Sequence, residues 1–267
     1  PFLPASVLKM IRKECVEKMF PSLAEEQLAE STDEALARFK KDYAALKHTP
    51  ATPKPSDTAL VPRGKHPRIA ERCVIAREIE SDPAPSEELV LPFYMNEPAL
   101  KSVRAAIAAY IKKGGRVIRI TSLCHLPLLK EFPGIAIKTC MPLPVCNSMA
   151  VKELSLYGVT LVQGSLELGG SELTALAMKS VLPFEVYRLG RPVLLSTRAE
   201  LPVQGKIQDS KGDEFFVEKH GIITQVFPVK AMNVPLVKGA DASFYDLRLA
   251  NGQESDGARF NFDISLS

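Results

Sequence analysis

Apolar runs that read as β-strands begin near residues 89, 116, 135, 159 and 184. A recurrence of ~25 residues is the spacing of β-α units, whose right-handed crossovers return the chain to a parallel neighbour. Helical signals fill the intervals. Asn96 precedes Pro98 as an N-cap, Leu100, Val103, Ile107 and Ile111 follow at helical spacing, and Gly114 with Gly115 ends the segment. The pattern then predicts a strand over 116–120, a short helix over 125–132, a strand over 135–139, a helix over 148–156 and a strand over 159–163. A helix capped by Ser171 and a strand over 184–187 complete the series. The fold class is therefore α/β, with parallel β-α units resembling part of a (β/α) barrel. Five or six strands fall short of the eight in a closed barrel, so the sheet is expected to be open or to be completed from outside the chain.

The flanks follow other rules. Val7, Leu8, Ile11, Val16 and Phe20 mark an amphipathic helix over 6–20, and two capping boxes, Ser22 with Glu25 and Ser31 with Glu34, predict two further helices ending near His48. Pro50, Pro53, Pro55, Pro62 and Pro67 then remove backbone donors and favour an extended arm, with one strand expected within 68–80. Beyond Pro192 the helical signal ends. Short apolar runs over 193–197, 205–208, 215–217, 222–229, 244–249 and 260–264 alternate with turn chemistry such as that of residues 209–213 and Asn251-Gly252. The expected division is a helical segment 1–48, a proline-rich linker or arm 49–87, a central α/β domain 88–197 and a β-rich appendage 198–267.

Composition narrows the classes. With 267 residues, 46% of them hydrophobic and 24% charged, the chain can bury a core for one or two globular units. A net charge of +3 does not by itself point to nucleic acid or an anionic membrane. Lys54, Arg63, Lys65, Arg68 and Arg72 face only Asp57 and Glu71 locally, which reads as a solvated linker or as an RNA-contacting stretch. Charged residues or prolines interrupt every apolar run before ~20 residues, and no signal segment opens the sequence, so no membrane partner and a cytoplasmic location are expected. Pro1 stands first and the opening helix begins abruptly, as in a piece of a longer chain.

Catalytic motifs are sparse. Cys15, Cys73, Cys124, Cys140 and Cys146 lack C-x-x-C spacing and read as reduced thiols without a metal site. The zinc motif H-E-x-x-H and the elbow G-x-S-x-G do not occur, and the histidines are His48, His66, His125 and His220. Cys124 and His125 are consecutive, and consecutive side chains diverge. Gly169 and Gly170 fit a tight turn as well as a phosphate cradle. If the β-α units belong to a barrel, its chemistry sits at strand C-terminal ends. Arg119, Lys138, Asn147, Glu167, Arg188, Arg191 and Arg198 are then the residues to examine. Glu167 is the candidate catalytic base, and Asn147, Arg191, Arg198, Arg188 and Lys138 are candidate substrate-binding residues around an anion such as a carboxylate or phosphate. The alternative is a Glu167–Arg191 pair that only fixes the turns.

Four motifs recur in a particular order: Asn147-Ser148 opening a helix, Ser165-Leu166-Glu167-Leu168 after a strand, Gly190-Arg191 after the next, and the run Ile207-Gln208-Asp209-Ser210-Lys211-Gly212. This series is similar to a signature of the collagenase-like peptidase family U 32, and the opening PFLPASVLKMIRKECVEKM resembles the end of that family's collagenase-associated middle domain. The resemblance covers about two thirds of the chain and implies the C-terminal region of a longer protein, an accessory or degenerate barrel module. It implies peptidase activity of unassigned mechanism, or membership of an oxygen-independent hydroxylase of RNA bases or small molecules carrying an iron-sulfur cluster. Those relatives place cluster cysteines after the strand ending in Gly-Arg. Here residues 196–202 hold none, and no cysteine follows Cys146. A cluster needs about four thiolates, so none is expected in this chain, and any cluster belongs elsewhere in the parent protein. The implied partners are the parent's N-terminal part and RNA or a peptide.

Overall fold

The computed structural model describes residues 9–10, 13–14, 25–48, 50, 52–62 and 72–248. It divides into two units, Pro1–Leu46 and Lys47–Ser267. In the first, Lys9, Met10, Lys13 and Glu14 are helical; the rest of the helix expected over 6–20 lies outside the described residues. Helix α1 (Glu25–Ala45) runs unbroken through the second capping box, where a new helix was expected. A capping box ends a helix only if the preceding chain leaves helical geometry. Here Glu, Gln, Leu and Ala on its N-terminal side and Ala, Leu, Arg and Lys beyond it sustain the backbone ladder. Phe39 and Tyr43 stack one turn apart, with ring centroids 6.0 Å from each other.

In the second unit the elements are β1 (Thr58–Leu60), β2 (Val74–Glu78), β3 (Glu88–Val90), α2 (Glu97–Lys112), β4 (Val117–Ile120), α3 (His125–Leu129) and β5 (Ala136–Thr139). They continue as α4 (Ser148–Leu156), β6 (Val159–Gln163), α5 (Gly170–Ala177), β7 (Phe184–Gly190), β8 (Leu195–Thr197), β9 (Gly205–Gln208), β10 (Glu214–His220), β11 (Ile223–Pro228), β12 (Met232–Asn233) and β13 (Ala242–Asp246). Strands β1 to β7 pair in chain order, all parallel, and β13 lies parallel between β7 and β1. The result is a closed eight-stranded barrel, which corrects the expectation of an open or incomplete sheet. The strands that close it carry the weakest sequence signals. β1 is the tripeptide TAL in the proline-rich arm, and β13 lies in the stretch expected as appendage. Residues 63–71, 249–250 and 251–267, which include much of the basic stretch, Asn251-Gly252 and the run over 260–264, lie outside the described residues.

Register divides the strand residues between two faces. Leu89, Ile118 and Ile137 are matched across β3, β4 and β5 and join Val103, Ile107, Val151 and Leu173 of the helices in one apolar cluster outside the ring. Their neighbours Glu88 and Arg119 point inward. Helix α2 begins where Asn96 Oδ1 accepts from the Ala99 N–H at 2.9 Å, and it buries Val103, Ile107 and Tyr110. α5 starts earlier than the expected Ser171, because the Glu172 carboxylate accepts from the Gly169 N–H at 2.8 Å and organises the first turn one residue pair upstream. Between β7 and β13 the chain makes an antiparallel sheet in the order β8-β11-β10-β9, and β12 then returns antiparallel along the end of β7. The run over 207–212 is its β9–β10 hairpin, with Asp209 Oδ1 accepting from the N–H groups of Lys211 and Asp213.

Candidate functional site

The barrel axis is occupied by charge. Arg119, from β4, is fully buried and reaches across the ring. Its fork donates to both oxygens of Glu185 on β7 at 2.7 and 2.9 Å, its Nε to Glu88 on β3 at 2.5 Å, and Nη2 to the Thr58 hydroxyl on β1 at 2.8 Å. The guanidinium also stands 5.0 Å from the ring centroid of Phe244 on β13. Lys138 of β5 donates to the other Glu88 oxygen at 2.5 Å, and Gln163 of β6 donates to Glu185 at 2.9 Å. This network touches every ring strand except β2. Burial pushes the Glu88 carboxyl up, but Arg119 and Lys138 outweigh it and hold the group below its ordinary value. Burial likewise opposes the charge on Arg119, yet Glu185 and Glu88 keep it protonated well above the usual range.

A second polar cluster lies at the C-terminal ends of β2, β7 and β13. Arg248 grips Asp246 through Nε at 2.9 Å and Nη2 at 2.7 Å and reaches Glu78 through Nη1 at 2.6 Å. Tyr187 donates to Asp246 at 3.2 Å. Cys140 is buried close by, and burial, with smaller opposing charges around it, pushes its thiol up to about 12, which keeps it protonated.

A cleft of about 290 Å³ opens at the same end of the barrel, where strand C-termini release their loops. Phe93 follows β3, Met141 and Pro142 follow β5, Ser165, Leu166 and Glu167 follow β6, residues 192–196 follow β7, and Met232 belongs to β12. Its walls are apolar, with Phe93, Leu194 and Leu195 all more than 40% exposed. Arg198, two residues beyond Ser196, joins the two walls by meeting Tyr94, one residue beyond Phe93: its guanidinium lies 5.6 Å from the Tyr94 ring centroid and donates to the Tyr94 hydroxyl at 3.3 Å. A larger hollow of about 510 Å³, lined by residues 200–204, Val217, Lys219 and Thr224, sits on the antiparallel sheet and includes none of the strand-end candidates.

The residues singled out from the sequence are therefore spread over several tasks. Glu167 lines the cleft, exposed, on a turn that its own N–H ties to the Ser165 hydroxyl at 3.3 Å. Arg191 follows the parallel neighbour of Glu167's strand, so the two lie at the same end of the ring, and its Nε donates to the Val229 carbonyl at 2.8 Å. Asn147 caps α4, accepting from the Ala150 N–H at 2.8 Å. Lys138 and Arg119 share Glu88 inside the ring, and Arg119 alone of the two reaches Glu185. Arg188 occupies the extra position of a bulge between β7 and β13, with Nε and Nη1 buried and unbonded. Sequence reasoning passed over Glu88 and Glu185, the acids that use Arg119 and Lys138, and over the apolar walls. Their only signal was a charged residue inside an apolar strand run, as in the EL of β3 and the FEV of β7. Among the described residues, no group of three or more His, Cys, Asp or Glu side chains is placed to hold a metal ion. None of the described helices is long and apolar enough to cross a membrane.

These features define an α/β protein built on a closed parallel barrel, with a salt-bridged interior and an apolar cleft at the strand C-terminal end. Neither the comparison with protein-family models nor that with curated proteins returns a match.

Proposed function

We propose that this chain is an accessory barrel module of the collagenase-like family U 32 type and that it binds a polypeptide in the cleft at the barrel mouth. The observation that carries the reading is the division of charge: inside the ring Arg119 and Lys138 are neutralised by Glu88 and Glu185, while the cleft at the mouth is lined by apolar walls with a single carboxylate. Side chains already engaged in a buried network are poorly placed to rearrange around a reacting group, since each broken pair leaves an uncompensated charge. An apolar cleft with a few polar points is the usual form of a ligand site. The four ordered motifs of the family resemblance support the same placement, because three of them sit at strand C-terminal ends or helix starts around that mouth. In this reading any iron-sulfur cluster belongs to the parent protein's other regions.

The test uses fluorescein-labelled peptides and the variant Ser196→Trp, which fills the cleft from β8. Peptide anisotropy should rise with the native chain and fall back with the variant, while both melt at the same temperature and the peptides remain intact on chromatography. Binding that survives Ser196→Trp removes the cleft from the function. Peptide cleavage abolished by Glu167→Gln establishes the peptidase reading in its place.

A further inference from the structure

Resting on that placement of the binding site, we propose that Glu167 makes the cleft selective for a lysine or arginine side chain of the bound peptide. Glu167 is the sole ionisable side chain among the described residues lining the cleft, and within the described structure its bond to the Ser165 hydroxyl comes from the backbone N–H and leaves the carboxylate open. Three of the cations at this end of the barrel are engaged elsewhere. Arg191 holds the Val229 carbonyl, Arg198 holds Tyr94, and Lys138 holds Glu88. A negative charge is thus left at the edge of an apolar hollow, where the walls lower the local dielectric and strengthen its pull on a cation.

The turn that carries the carboxylate is fixed. Ser165 is buried, its N–H donates to the Val145 carbonyl at 3.1 Å, and its carbonyl accepts from the Leu168 N–H at 3.4 Å. Leu166, next to Glu167, is also buried and anchors the turn in the apolar cluster. The acid is therefore presented on a rigid support instead of swinging freely. A lysine or arginine side chain matches both halves of the cleft: its methylene stem lies against Phe93, Met141, Leu166 and Met232, and its charged end meets the carboxylate. An acidic side chain in the same place meets like charge and desolvation together.

Three peptides separate this proposal from the placement on which it rests: acetyl-Gly-Leu-Lys-Leu-Gly-amide and the same peptide with norleucine or glutamate at the centre. Each is titrated calorimetrically at low salt against the native chain, Glu167→Gln and Ser196→Trp, all checked for an unchanged melting temperature. The lysine peptide should bind the native chain about tenfold more tightly than the norleucine peptide, the worth of one charge-assisted hydrogen bond. That ratio should fall to about one in Glu167→Gln, and Ser196→Trp should bind neither. Equal binding of the lysine and norleucine peptides, or preference for glutamate, overturns the role of Glu167 while loss of binding in Ser196→Trp still upholds the cleft. Binding unaffected by Ser196→Trp, or no binding of any peptide by the native chain, overturns both.

Discussion

Arg119 shows how much of the barrel hangs on a single side chain. Its donors are shared among Glu185, Glu88 and Thr58, so an apolar replacement leaves the buried Glu185 without a cation and Glu88 with Lys138 alone. Arg119→Leu is expected to cost ~3–5 kcal/mol, measured as a drop in the urea midpoint, and a variant as stable as the native chain would show that the network contributes nothing. Arg119→Lys should fall between the two, since it restores charge without the fork. Acid should act on the same chain in two windows. His125 is fully buried with Nδ1 accepting from the Thr121 N–H at 3.3 Å, and burial lowers its pKa to about 4. The unfolded chain takes up that proton first, so the stability due to the neutral ring is complete above pH ~6.5 and is lost as pH falls toward the folded value. Glu88, held below its ordinary value by Arg119 and Lys138, contributes above pH ~4.3 and its share is lost only at still lower pH. Denaturation midpoints between pH 7 and pH 4 should fall in the native chain and stay flatter in His125→Asn; parallel slopes would remove His125 as the cause.

Among the elements, α4 and β7 have the clearest single points of failure. Asn147→Ala removes the oxygen that satisfies the Ala150 N–H and should lower stability by about 1 kcal/mol while leaving peptide binding unchanged. Lost binding without lost stability would return Asn147 to the binding residues where sequence alone had put it. Gly190 ends β7 with φ +147°, and a Cβ there would collide with the Asp246 carbonyl and the Tyr187 hydroxyl. Gly190→Ala therefore combines a backbone conformation closed to L side chains with a clash between two ring strands. It should cost about 2 kcal/mol or more, and crystal or amide-exchange data should place the damage at the β7–β13 seam. The Gly-Arg motif acquires a physical meaning from this position: the glycine lets β13 approach, and the arginine ties β7 to the end of the antiparallel sheet through Val229.

For the whole molecule, closure depends on β13. It pairs with β7 on one side and β1 on the other, and Asp57 Oδ1 accepts from the Ser243 N–H at 2.8 Å across a sequence separation of 186 residues. A chain ending at Ala240 keeps β1 to β7 but leaves two unpaired parallel edges and removes the Phe244 face from Arg119. Such a chain should lose its cooperative thermal transition and bind a hydrophobic dye or aggregate. A sharp transition near the native temperature would mean that the seven remaining strands form a stable open sheet.

What the sequence determined by itself was local: the β-α rhythm, the cap at Asn96, the turn at Asp209 and the strand-end position of Glu167 all follow from spacing and side-chain chemistry within a few residues, whereas Asn147, taken for a binding residue, proved to be a helix cap. The continuous α1 was misread because a capping box has the same residues whether or not the chain before it is helical. Ring closure and the barrel interior were decided by tertiary structure. Three-residue strands such as β1 carry no period to read, and their partners lie far along the chain. The roles of Arg119, Lys138 and Arg191 were likewise settled only when folding chose which acceptors they meet. A strand-end arginine looks the same in sequence whether it faces a ligand, a carbonyl or a buried glutamate, because the desolvation and pairing that distinguish these fates exist only once distant strands have closed around it.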